Sequence, residues 1–273
     1  MATGRGGSPD WLWAALPGAA LLAWTAASYP WSTLALVLTS LAWFGLSLWS
    51  SRILLGPLAT WRFVAIAAAL GWFAEEMGSG FGWFFGDYDY TRVLGPRLGT
   101  VPIVIPFMWF ALCQGALVMA SLLFWRRDLP VPGRSAALLT AAMAALLVTA
   151  FDLGADPYFV FQLQAWIMEK KDGYWFGETV AGFAGWLFVS FSITALFLAT
   201  GRTAAQGGAC AERGRQAGLA PAALFAAMMV FQMAVGDPFA LRVVSFFAMG
   251  VPALAAAVAW WQWDGAADAQ VRA

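Results

Sequence analysis

IVIPFMWFALCQGALVMASLLFW, residues 103–125, runs for 23 residues without a charged side chain. A bilayer's hydrocarbon core is about 30 Å thick and takes about 20 apolar residues of helix to cross, so this stretch reads as a membrane span. Lipid offers the backbone no hydrogen-bond partners, and only helices or a closed barrel satisfy it there. The run lacks the alternation of a barrel strand, which leaves a transmembrane helix.

Seven further apolar runs lie to either side, near residues 11–29, 31–49, 57–77, 135–152, 181–200, 218–236 and 238–261. With residues 103–125 they make about eight crossings, with seven or nine as the neighbouring counts. The piece PYFVFQLQAWIM, Pro157 to Met168, is too short to cross and is expected to form a short re-entrant or interfacial helix near 157–168. Across 273 residues, 62% are hydrophobic and 11% charged, far from soluble globular usage. The expected fold is therefore all-α, a polytopic membrane helical bundle forming a single membrane domain over residues 1–273.

Local signals place several borders. Asp156-Pro157 and Asp237-Pro238 each offer an N-cap followed by proline at the first helical position, and Pro57 after Gly56 acts similarly. Many of the 17 tryptophans fall at span ends, among them Trp49, Trp125, Trp260, Trp261 and Trp263, where amphipathic rings favour the membrane interface. The segment from Arg5 to Ala27 has the outline of a signal peptide, but its length and the seven runs that follow make it an uncleaved first helix. With eight spans, ten basic residues fall on the side of both termini and five on the other, including Arg92, Arg97, Lys170, Lys171 and Arg242. That asymmetry predicts a multi-pass protein of the cell (inner) membrane with both termini in the cytoplasm. A net charge of zero argues against a nucleic-acid partner. Cys113, inside a span, and Cys210, in a polar loop, lie in settings too different to suggest a disulfide.

Several chemistries lack their residues. The chain has no histidine, which removes histidine-rich iron sites and histidine-based triads. GSGFG at 78–82 follows a membrane helix rather than a strand and is not a dinucleotide fingerprint. No lysine falls inside a span, so a retinal Schiff base has no attachment point. What remains is carboxylates and aromatic rings.

Upstream of the quoted span, GWFAEEMGSGFGWFFGDYDYT at 71–91 sets Glu75, Glu76, Asp87 and Asp89 among glycines and rings. Asp152 and Asp156 close the fifth span, Glu178 precedes the sixth and Asp237 the eighth. Acids at such positions are costly and mark functional sites, and on this topology all fall toward the non-cytoplasmic side. Plainer readings stand beside them. Asp156 and Asp237 read equally well as caps, and Asp87 and Asp89 as a solvated cluster with Arg92 and Arg97. Glu75 and Glu76 are about 100° apart on a helix, so one at most faces a given cavity.

A carboxyl in a dry pocket can stay protonated at neutral pH and act as a general acid. Around such an acid the sequence offers Trp72, Trp83, Phe84, Phe85, Tyr88, Tyr90, Trp109 and Trp166, whose faces can stabilise a cation. Acid and aromatic wall together suit protonation of an isoprenoid double bond to a tertiary carbocation. Water capture then gives an alcohol, and internal attack gives a ring.

Three segments carry a resemblance: EEMGSGFGWFFGDYDYTRVLGPRLGTVPIVIPFMWF, TAFDLGADPYF and GYWFGETVAGFAGW. Their spacing over about residues 70–190 resembles the integral-membrane carotenoid biosynthesis family that includes the CruF-type carotenoid hydratases. Glu75, Gly78, Phe85, Gly86, Tyr88, Tyr90, Thr91, Pro102, Pro106 and Trp109 meet the first element, Asp152, Asp156 and Pro157 the second, and Gly173, Trp175, Gly177, Gly185 and Trp186 the third. Phe151, Thr179 and Gly182 depart from the family's tryptophan, proline and asparagine, as in a divergent member. The resemblance implies water addition to the end-group double bond of an acyclic or monocyclic carotenoid, with no cofactor and no metal.

On that basis Glu75, Asp152 and Asp156 are the expected catalytic carboxyls, with Tyr88, Tyr90, Trp109, Trp166 and Trp186 as walls for a long apolar carotenoid held within the lipid bilayer. Glu76, Asp87 and Asp89 are reduced to supporting acids. Asp152 and Asp156 also read as D-x-x-x-D, which keeps a Mg²⁺-dependent prenyltransferase or carotenoid elongase as the alternative, with a carotenoid cyclase between the two. In a non-enzymatic carotenoid- or lipid-binding protein the same acids would be caps and interhelical hydrogen-bonding groups.

Overall fold

The computed structural model describes residues 16, 18–20, 23–24, 27, 32–126, 133–169, 173–200 and 211–263. Helix α1 spans Thr33–Leu55, and the Ser32 hydroxyl caps it by accepting from the Ala35 N–H at 3.1 Å. A single residue, Gly56, separates it from α2, Pro57–Phe81, where proline at the first position supplies a preset φ and lacks only an N–H the helix would not use. Then follow the short strands β1 (Tyr88–Tyr90), β2 (Arg97–Leu98) and β3 (Val101–Pro102) and helices α3 (Val104–Trp125) and α4 (Gly133–Pro157). Strand β4 (Trp166–Met168), α5 (Val180–Ala199), α6 (Ala211–Val235), α7 (Phe239–Ser245) and α8 (Val251–Trp261) complete the order.

Seven helical segments among the described residues are long and apolar enough to cross a membrane. They match seven of the eight expected runs, and most of the remaining one, near 11–29, falls outside the described residues. Helix α7, a π turn at Phe246–Gly250 and α8 act as one span, 239–261. The molecule is a multi-pass all-α membrane bundle. At its centre is α3, with 78% of its apolar window buried against 28–50% for the others. Its neighbours pack rings across it: Phe63 of α2 stacks on Phe197 of α5 at 4.1 Å and meets Phe110 of α3 edge-on at 5.4 Å.

Local reading fails in two places, the stretch 157–168 and Asp237. No separate helix forms near 157–168. Helix α4 runs past Pro157 into a π turn, Tyr158–Gln162, and the chain then becomes strand β4. Asp156 therefore caps nothing and lies buried within the helix. Nor does Asp237 cap a helix, because α7 starts at Phe239 with Pro238 in the cap position and no side-chain cap bond. Two of the span-end tryptophans tie helices together rather than only marking the interface. Trp125 donates to Thr140 Oγ1 at 2.9 Å, and Trp260 donates to the Arg215 carbonyl at 2.7 Å. Cys113 is a buried free thiol, and Cys210 lies outside the described residues.

Candidate active site

Helix α2 ends at Gly82, whose left-handed φ of 70° turns the chain back over the helix end, a conformation glycine adopts without a Cβ clash. The returning chain is β1, which pairs antiparallel with β4 so that Tyr88 faces Met168, Asp89 faces Ile167 and Tyr90 faces Trp166. Side chains alternate across a strand. Tyr88 and Tyr90 accordingly point inward and are buried, while Asp89 between them is exposed.

Both phenols converge on Glu75, nearly two turns before the end of α2. Tyr88 and Tyr90 donate to Oε2, Tyr90 at 2.7 Å, and the Trp109 indole of α3 donates to Oε1 at 2.9 Å. Three of the roughly four acceptor positions of a carboxylate are thus taken by the protein. Burial, reinforced by the Glu75 charge, holds both phenols well above their usual pKa, so they stay donors. Trp109 reaches Glu75 across a position that only glycine leaves open: a Cβ at Gly71 would sit 2.6 Å from the indole ring.

A second group forms at the end of α4. Asp152 and Asp156, four residues apart, share one helix face, and both are buried. Pro157 has no N–H to give the carbonyl of Leu153, four residues back. The Trp175 indole donates to that carbonyl instead, at 3.1 Å. Trp175 belongs to a tight loop closed by reciprocal backbone bonds between Gly173 and Gly177, both 3.2 Å, and by a bond from Glu178 N–H to the Trp175 carbonyl at 2.8 Å. The loop delivers Glu178, only 3% exposed, to hydrogen bond with Asp156. A hydrogen bond between two carboxyls requires one of them to carry the proton. Burial raises the Glu178 pKa above the ordinary glutamate range, while the bond from Asp156 pulls it down. Asp152 lies within electrostatic reach of Glu178 and Glu75, so the two acid groups form one cluster.

The cluster lies where two spaces adjoin. One is an apolar cleft enclosing about 1030 Å³ with its open mouth, lined by Leu36, Trp43, Met108, Phe151, Asp152, Asp156, Phe159, Met228 and Phe231 among others. The other, of about 560 Å³, is lined by Glu75, Tyr88, Tyr90, Trp109, Asp156, Glu178 and Met168. Ile105, Met108, Leu112, Asp156, Trp166 and Trp186 border both. Trp186 stacks on Trp109 at 4.6 Å, and Trp166 on Phe159 at 5.6 Å, so the junction is walled by ring faces. Among the described residues neither space is lined by lysine or arginine, and no three metal-ligating side chains are arranged to hold a metal ion.

The fold thus gathers Glu75, Asp152, Asp156, Tyr88, Tyr90, Trp109, Trp166 and Trp186 in one place. The three supporting acids lie elsewhere. Glu76 accepts from Thr100 N–H and Oγ1, both at 2.9 Å, and pins the loop carrying β2 and β3. Asp87 packs on Gly82 at the turn, and Asp89 points outward. Glu178 is one of the acids the sequence offers but stands outside the expected catalytic set. Its signal was an acid in the G-x-W-x-G-E run just before an apolar span, a position where burial is costly unless used.

Fold and site define a multi-pass membrane protein in which buried carboxyls close an apolar cleft. The chain belongs to a family described as "Carotenoid biosynthesis protein", whose pattern matches residues 31–260. It is also similar to the bisanhydrobacterioruberin hydratase of Haloarcula japonica, at 33% identity over 124 residues, 45% of this chain. The similarity spans 39% of that relative's length. No solved structure matches the chain.

Proposed function

We propose that this protein is a membrane carotenoid hydratase, adding water to the end-group double bond of an acyclic or monocyclic carotenoid by carboxylic-acid protonation and water capture of a tertiary carbocation. The observation that carries this reading is the junction at Asp156, where a cleft suited to a long polyene meets a pocket rich in hydrogen-bonding groups. An alkene end group in the cleft would meet an acid there, and the Trp109, Trp166 and Trp186 faces would stabilise the cation. Glu75, fixed by three donors, adds a preorganised group of negative potential close to the developing charge. The name of the Haloarcula relative points to the same reaction class.

Metal-dependent prenyl transfer would need cationic partners for a diphosphate, and none lines either space among the described residues. A cyclase would share the protonation step but has no use for a polar pocket beyond the acid. The arginine asymmetry favours cytoplasmic termini in the cell membrane, with the acid cluster toward the opposite face.

The test is expression in hosts that accumulate lycopene or γ-carotene, with mass analysis of the pigments. A product heavier by one water is expected, lost on Asp156→Asn with pigment still bound and kept on Asp89→Asn. An unchanged pigment profile across acyclic, monocyclic and longer carotenoids would sink the reading. Retained hydration in Asp156→Asn would move the acid to another residue.

A further inference from the structure

Glu178 lies outside the expected catalytic set, yet its carboxyl is buried and incompletely hydrogen-bonded. Its Oε1 is buried and finds no partner among the described residues. Gln114 and Gln232 also hold unpartnered buried atoms, but neither lines the cleft or the pocket. A buried carboxylate oxygen without a partner is costly, and a bound water is its ordinary remedy in a polar site with room for one. The pocket it faces has that room and offers phenol and carboxyl partners.

The two spaces divide the acids. Asp152 borders only the apolar cleft, Glu75 and Glu178 only the polar pocket, and Asp156 both. The side chain that can reach an alkene in the cleft is thus hydrogen-bonded to one facing the pocket.

Building on the hydratase reading, we propose that Glu178 is a catalytic residue: its Oε1 holds the water that captures the carbocation and takes the proton that water releases. Asp156 gives its proton to the alkene, forming a C–H bond and leaving a carboxylate and a tertiary cation. The water oxygen forms the C–O bond to the cationic carbon as its proton passes to Glu178. That proton returns to Asp156 across the hydrogen bond joining the two carboxyls. One alkene and one water give one tertiary alcohol, and the pair ends as it began.

The test is Glu178→Gln in D2O, with wild type alongside. The amide keeps the size and the bond to Asp156 but cannot take the proton. Hydration is expected to fall about 100-fold or more. The cation still forms and collapses by losing a proton to Asp156, so recovered carotenoid should carry deuterium. Hydration within about threefold of wild type would overturn the proposal. So would loss of both hydration and deuterium uptake in a variant that still holds pigment, because Glu178 would then serve protonation. Glu178→Asp, which draws the carboxyl back by one methylene, covers the case in which the amide variant fails to fold. Its ratio of deuterium uptake to hydration should exceed that of wild type, and an equal ratio counts against the water role. A wild type that hydrates no carotenoid rejects the hydratase reading itself, which separates the two failures.

Discussion

The indole N–H of Trp175 donates at 3.1 Å to the carbonyl of Leu153, the acceptor that Pro157 leaves free by having no N–H of its own. A defect in one helix thereby becomes the anchor of the loop that carries Glu178. The same proline lies beside Asp156, so the break that frees the carbonyl and the acid that meets Glu178 are set by adjacent residues. Helix α4 continues beyond it through the π turn at Tyr158–Gln162, a device often found at functional sites.

Replacing Trp175 by Phe keeps the ring and removes the donor. One neutral hydrogen bond is worth about 1 kcal/mol, so the fold should persist with a small loss of stability. The loop would no longer be held in register, and a displacement of about 1 Å can cost on the order of 100-fold in rate. The expected result is a large fall in hydrated product with a melting temperature in detergent within a few degrees of wild type. Equal product from both proteins would show that the anchor does not position Glu178.

Tyr88 and Tyr90 share one oxygen of Glu75, which makes their contributions interdependent. Each Tyr→Phe change removes a buried bond to a carboxyl group and should cost about 1–3 kcal/mol of stability. After the first removal the remaining phenol can centre on Oε2 and recover part of the loss, so the double variant should lose more than the two single losses added. Thermal unfolding of the three variants measures the coupling directly. Strict additivity would mean that the phenols act separately.

Much of this was legible in the sequence, and what was not has a physical cause. The seven described spans follow from hydropathy because lipid imposes length and apolarity on every crossing helix. Glu75 stood out as an acid inside such a span, and Trp109, 34 residues on, lay in a recognisable pattern. Strands of three residues have no usable periodicity, so the pairing of Tyr88–Tyr90 with Trp166–Met168 was invisible, and with it the inward turn of both phenols. Asp156-Pro157 obeyed a local rule for helix starts that the packing overrode, since the helix carries on and Trp175 satisfies the carbonyl that proline frees. The Asp156–Glu178 contact joins residues 22 apart through a loop whose shape no pattern announced.

Acidity supplies the last prediction. Burial raises the pKa of Glu178 in the folded protein, with the hydrogen bond from Asp156 opposing it in part. An acid whose folded pKa lies above its unfolded value binds its proton more tightly in the native state. Its contribution to stability is complete below the unfolded glutamate value of about 4.3 and is lost as pH rises through the raised folded value. The wild-type melting temperature should therefore decline with rising pH across that interval. Glu178→Gln has no proton to lose there, and its profile should be flatter over the same range. Melting curves of both proteins in one detergent, taken from about pH 4 to 8, compare the slopes. Parallel slopes would mean that Glu178 keeps an ordinary pKa, and that its carboxyl is open to bulk water rather than enclosed beside Asp156.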